Sequence, residues 1–194
     1  MRRILLAGLA GFAAVALVSC AEPAVTRYTL GSPGPSAAAP ALGRALLVIE
    51  VARVAIPDEL DTQDILVRRG STLERSHGGR WASRLSVGVT ERLAARLSQS
   101  RPDALVTDEP QGAAPDYRIL IHVSALDVVS EGAGGRATLA ADWLIVPRDA
   151  RLPTARDRVR LEAAGPVATD RETVALVTEV VDRLAGAIDI AGLR

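Results

Sequence analysis

The sequence predicts an α/β domain: a mixed β-sheet with two main amphipathic helices packed on it. Three observations predict it. Several segments alternate apolar and polar residues with a period of two. Two others repeat apolar residues at spacings of three and four. Along the chain these run strands, helix, a longer series of strands, helix, and that order suits helices laid on a mixed sheet.

Before the domain comes a segment of a different kind. Arg2 and Arg3 precede an apolar run from Ile4 to Val18, which ends in Leu17-Val18-Ser19-Cys20. The run is short for a span, which needs roughly 20 apolar residues. The layout is that of a bacterial lipoprotein signal. Residues 1–19 are therefore expected to be removed, and Cys20, the only cysteine, to carry the acyl chains. Cleavage after Ala21 with ordinary secretion is the alternative. Ala21, not Asp, follows the cysteine, and this favours the outer membrane. Residues 20–43 are expected to form a lipidated, flexible tether. Its Gly-Ser-Pro-Gly-Pro-Ser-Ala-Ala-Ala-Pro stretch cannot build a core, and its reach is on the order of 25–30 Å. Tyr28-Thr29-Leu30 interrupts the polar stretch and is a candidate edge strand. The domain is expected over 44–194.

Ala45 to Val54 is apolar on both alternating faces apart from Glu50 and Arg53, as a strand covered on both sides would be. Ile56-Pro57 ends it. Asp64 to Arg69 reads as a strand and Thr72 to Arg75 as a short one, with Gly78-Gly79 breaking the chain. From Arg80 to Ser100 a helix is predicted, with Trp81, Leu85, Val89, Leu93 and Leu97 on one face and Arg101-Pro102 as the stop. Ala104 to Thr107 is a short strand. Tyr117 to Val129 places Tyr117, Ile119, Ile121, Val123 and Ala125 on one face. Gly132 to Gly135 turns the chain into a strand from Ala137 to Val146, and another passes through Val159 and Leu161. The last helix opens on a capping box, Thr169 with Glu172, and continues with Val174, Val177, Val181, Leu184 and Ile188.

Composition narrows the chemistry. The chain has 23 basic and 23 acidic residues, and every basic one is Arg. This balance gives no basic excess for nucleic acid, and without Lys there is no Schiff-base residue. A lone cysteine removes disulfides and Cys-ligated metals. No catalytic constellation and no cofactor site is apparent, so the chain reads as non-enzymatic. His122 and Ser124 sit two apart on one strand face, too far for a direct nucleophile–base bond. Asp58, Glu59, Asp61 and Asp64 read as a solvated loop or a contact for an Arg-rich partner rather than as a metal site. Pro57, Asp58, Glu59, Leu60 and Asp61 form the candidate partner interface, an apolar residue ringed by charge. Leu60 is expected to be only partly buried there, with water, Arg68 and Arg69, or a partner offsetting the carboxylates. Trp81 is either a core anchor or an interface aromatic.

One family matches this order of weak motifs. Val54-Ala-Ile-Pro57-Asp-Glu-Leu60-Asp61, Ile65-Leu-Val67-Arg68-Arg69 and Arg80-Trp81-Ala82 resemble the ABC-type transport auxiliary lipoprotein family, the PqiC-like and YmbA-like proteins. Tyr28-Thr29-Leu30 after the anchor and the final amphipathic helix also fit. The chain departs from the pattern at Ser83, where an acidic residue is expected, at Thr62, where a basic one is common, and in 73–79, which lacks aromatics. The resemblance implies a three-layer α/β/α fold with a mixed sheet, similar to anticodon-binding domains. It also implies no catalytic residues. It further implies an accessory lipoprotein that docks a mammalian-cell-entry (MCE) transporter subunit at the outer membrane in intermembrane lipid transport. A second copy of the chain is a further candidate partner. An envelope-assembly lipoprotein of another system is the alternative.

Overall fold

A computed structural model describes residues 24–30, 47–131 and 134–194. The signal segment 1–19, Cys20, and the expected start of the domain at Arg44 lie outside the described residues. The elements are β1 (Thr26–Tyr28), β2 (Leu47–Val51), β3 (Asp64–Arg69), β4 (Thr72–Trp81), α1 (Leu85–Ser100), β5 (Ala104–Thr107), β6 (Tyr117–Glu131), β7 (Gly134–Pro147), β8 (Ala155–Gly165) and α2 (Asp170–Ala187).

β6 organises the sheet. β7 occupies the whole of one edge, antiparallel from Tyr117↔Pro147 to Glu131↔Gly134, and β8 follows on β7. Two strands share the other edge end to end. β2 pairs in parallel at Ile49↔Tyr117, and β3 pairs in parallel at Arg68↔Val129. β5 extends the sheet beyond β2, and β4 and then β1 extend it beyond β3. The sheet is therefore mixed, as predicted.

Period-two patterning fixes which face is inside. Tyr117, Ile119, Ile121 and Val123 are buried, while Arg118, Leu120 and His122 point the other way. The register then shifts between Val123 and Ala125, and the buried residues become Leu126 and Val128. A bulge adds one residue and reverses the phase. Ala125, expected inside, pairs with Ala140 on the outer face instead.

Both helices lie on the buried face, so the described residues form two layers rather than the three of an α/β/α arrangement. α2 rests on β8 and β7, α1 on β5 and β2, and the helices touch each other. Arg92 of α1 grips Asp182 of α2 with Nε at 2.6 Å and Nη2 at 2.7 Å. Helices on opposite faces could not make that pair. The outer face alternates toward solvent with Arg118, His122 and Asp142, and its ion pairs include Arg118–Glu50 at 2.9 Å and Arg68–Asp127 at 2.7 Å.

Two expectations around Trp81 change. The helix begins at Leu85, and Trp81 closes a strand. Gly78-Gly79 does not break the chain. It forms an irregular stretch of β4 in which Ser76 Oγ accepts the N–H of both glycines at 3.1 Å. Gly79 is required there: a Cβ would lie 2.9 Å from Tyr28 Cε2 and 2.5 Å from Asp170 Oδ2. The four-residue recurrence from Trp81 to Leu97 is real, but its first member faces the core from a strand. α2 follows prediction closely, with both hydrogen bonds of the Thr169–Glu172 capping box present.

The carboxyl end is clamped by Arg101. Its guanidinium donates to the carbonyls of Ile190, Ala191 and Leu193 and makes a bidentate pair with Asp103 at 2.9 and 3.0 Å. The Asp103 hydrogen bond raises the Arg101 pKa, and the same bond holds the Asp103 carboxyl below its ordinary value.

Candidate functional site: the Pro-x-x-Leu-Asp corner and its neighbours

The candidate interface is a compact corner between β2 and β3. After Ala55, which bridges to His122, the chain leaves the sheet at Ile56-Pro57. Proline has no N–H to continue a ladder. The Pro57 carbonyl accepts from both Leu60 and Asp61 N–H, at 2.9 and 3.0 Å, and Thr62 N–H bonds to the Leu60 carbonyl at 2.8 Å. This folding points Leu60 inward. It is 7% exposed and lines one small cavity with Ile65, Trp81, Leu85 and Val177. The expectation of a half-buried Leu60 is corrected: the turn drives it into the core.

Asp61 also has a structural task. α1 has no acidic residue in its first turn, and its N-cap, Arg84, supplies no side-chain cap. Asp61 Oδ1 accepts the Ser86 N–H at 2.8 Å, and the Thr62 carbonyl accepts Leu85 N–H at 3.2 Å. The corner thus satisfies two of the free N–H groups that any helix start leaves open, and places a carboxylate at the positive end of the helix. Asp61→Ala should lower stability by about 1 kcal/mol, the usual cost of losing a capping oxygen. Urea unfolding checks this, and an unchanged midpoint would remove Asp61 from that role.

The four carboxylates of the corner therefore separate. Asp64 pairs with Arg80 at 3.3 Å and Asp61 faces Arg84 at 3.5 Å, while Asp58 and Glu59 are exposed. Of the groups considered for offsetting them, Arg68 and Arg69 bond elsewhere, to Asp127 and to Glu74, which leaves water or a partner. Among the described residues no three His, Cys, Asp or Glu side chains converge as a metal site requires. Pro57 is half-buried and marks the rim of the surface that remains.

Trp81 lies inside the domain, 5% exposed. Its N–H donates to the Gln63 carbonyl at 2.7 Å, and its backbone sits in register with Tyr28. One side of the residue faces the cavity shared with Leu60. The other faces a small cavity lined by Tyr28, Leu30, Leu85 and Gly88. Of its two readings the structure favours the core anchor.

Elsewhere, His122 Nδ1 lies 3.1 Å from Asp142 Oδ1, both exposed on the outer face. Ser124 Oγ donates to the Ala140 carbonyl at 3.3 Å, not to His122. The three side chains do not form a nucleophile–base–orienter chain.

The amino-terminal edge carries the candidate edge strand, shifted two residues toward the amino end. Residues 20–43 are not one uninterrupted tether. Thr26–Tyr28 form β1 in parallel register with Gly79–Trp81, and Leu30 is 4% exposed beside α1. Tyr28-Thr29-Leu30, the candidate edge strand, is where the chain docks.

The comparisons agree with this picture. A family described as the ABC-type transport auxiliary lipoprotein component matches residues 28–189, beginning within β1 and ending just after α2. No curated protein matches the chain. One crystal structure of an uncharacterised protein shares the fold at a TM-score of 0.66 and 17% identity, covering 84% of this chain and 95% of that one. A Xanthomonas campestris protein shares it at a TM-score of 0.57 and 15% identity, covering 85% and 88%. At such identities these neighbours speak to the fold. The family match spans well over half of the chain, and by it the chain belongs to the ABC-type transport auxiliary lipoproteins.

Proposed function

We propose that this protein is a non-enzymatic, lipid-anchored accessory subunit of an MCE-type, ABC-linked system for intermembrane lipid transport, held at the outer membrane through Cys20. The observation that carries this reading is the family match over 28–189 lying directly downstream of Leu17-Val18-Ser19-Cys20. The mechanism is one of local concentration. A lipid anchor confines the domain to one membrane surface, and a docking face then meets its transporter partner as a near-intramolecular event.

Asp58 and Glu59 form the centre of that docking face, with Pro57 at its rim. They are the exposed charges of a corner whose backbone is tied down by Leu60 and Asp61. A rigid loop with free carboxylates loses little conformational freedom on binding an Arg-bearing surface. Reversing Asp58 and Glu59 to Arg should weaken capture of the MCE-domain subunit from detergent-solubilised envelopes, with the loss steeper at low salt than at high salt. The melting temperature should stay close to wild type. An intact complex would leave the corner as a purely structural device. Capture of a different envelope assembly, with no MCE subunit present, would overturn the functional assignment itself.

A further inference from the structure

The docked amino-terminal strand fixes how the domain can sit over its anchor. β1 enters in parallel register with β4, Thr26 beside Gly79 and Tyr28 beside Trp81. The Tyr28 carbonyl accepts from Ala82 N–H at 2.7 Å, and Leu30 packs against α1 at Gly88, where a Cβ would meet Leu30 Cδ1 at 3.4 Å. Six residues lead from Cys20 to Thr26, which fully extended span at most about 20 Å.

Parallel pairing also sets the direction of approach. The residues before Thr26 come from the side where β4 carries Ser76, His77 and Gly78, toward the β3–β4 turn at Gly70. The bulge in β4 shortens that side, so the turn stands about 17 Å beyond Arg80, counting β3 from Asp64 to Arg69 at strand rise. The leader can therefore carry Cys20 only a few ångströms past that turn. β3 lies parallel to β6 with Arg68 beside Val129, so the β6–β7 turn beyond Glu131 is at the same end of the sheet. The β7–β8 turn, the start of β2 and the Arg194 carbonyl bonded by Tyr117 Oη are at the opposite end.

The geometry points to a membrane-facing surface: with Cys20 acylated, the β3–β4 hairpin and the adjoining β1 edge rest on the phospholipid leaflet that holds the acyl chains. This rests on the lipid-anchor reading above. The occupant is a lipid leaflet because the chain itself delivers that edge to one. Guanidinium groups suited to lipid phosphates lie along it. Arg27 and Arg75 on the strands and Arg171 at the start of α2 are exposed and make no ion pair among the described residues. The carboxylates nearby are mostly occupied, Glu74 by Arg69 at 2.8 Å and Glu172 within the capping box; Asp170 lies against Gly79. The opposite end, with Leu152 exposed in the β7–β8 turn, then faces away from the membrane.

The test uses the full-length acylated protein in vesicles of phosphatidylethanolamine with a minor fraction of phosphatidylglycerol and a headgroup-nitroxide lipid. Acylation consumes the one native thiol, so Thr72→Cys and Arg151→Cys each accept a single fluorophore. Quenching at position 72 should exceed that at 151 several-fold. Inserting about 12 Gly and Ser residues after Ala21, which adds roughly 20 Å of mean reach, should reduce the difference. Equal quenching at both positions with acylation intact, or stronger quenching at 151, overturns the orientation and leaves the lipoprotein reading standing. Contrast seen only in native envelopes, and not in pure lipid, would make the occupant a protein and also overturn it. Absence of acyl chains at Cys20 overturns the anchor reading instead.

Discussion

Trp81→Ala is expected to lower the stability of the domain by about 3–5 kcal/mol, the range for removing a large aromatic from a packed core. The residue is 5% exposed and stands where four parts of the structure meet: β1 through Tyr28, the corner through Leu60, α1 through Leu85 and α2 through Val177. Truncation would leave a cavity that strands and helices hold open, so little of the loss can be recovered by collapse. At this chain length each kcal/mol corresponds to about 2–4 °C, so the melting temperature should fall by roughly 10 °C. Thermal melts and urea titrations of the isolated domain measure it. A melt within about two degrees of wild type, together with lost partner capture, would return Trp81 to the interface.

Cys20→Ala is expected to abolish acylation and leave an unprocessed or a soluble protein. Each methylene of an acyl chain contributes about 0.8 kcal/mol on entering a bilayer. No helix among the described residues is long and apolar enough to cross a membrane. The chain has no second cysteine to take up a lipid. Metabolic labelling with a fatty acid should show the label lost, and gel mobility with sedimentation tells the unprocessed form from the soluble one. Label persisting in the variant, or never entering the wild type, would reject the anchor, and sedimentation of the wild type with inner-membrane markers would reject the outer-membrane placement.

How much was legible in the sequence depends on how local each cause is. The capping box of α2 puts cause and effect within four residues, and Thr169 and Glu172 act as read. The alternation of Tyr117, Ile119, Ile121 and Val123 gave β6 and its inner face for the same reason. The bulge after Val123 is set by pairing with β7, so the sequence of β6 alone could not place Ala125. Gly78-Gly79 looked like a breaker because two glycines usually relax the backbone. Here they let Tyr28 and Asp170, from distant parts of the chain, come close. At the candidate site, Asp58 and Glu59 were readable as exposed charge. The capping of α1 by Asp61 was not, since donor and acceptor are 25 residues apart and match no short-range signature. The single-sided placement of the helices comes from tertiary packing, marked by the Arg92–Asp182 pair, whose partners are 90 residues apart.

The long strand β6 governs when this protein can become a sheet at all. Ile49 finds its partner at Tyr117 and Arg68 finds its own at Val129. Until β6 has been synthesised β2 has only β5 to pair with and β3 only β4, and β2 and β3 never pair with one another. Closing loops of this size costs entropy before any hydrogen bond repays it, so these two pairings form late, after the local hairpins. A nascent chain built this way remains open until most of its length is available. On the proposed lipoprotein reading, that delay suits a polypeptide that must stay unfolded through an export channel.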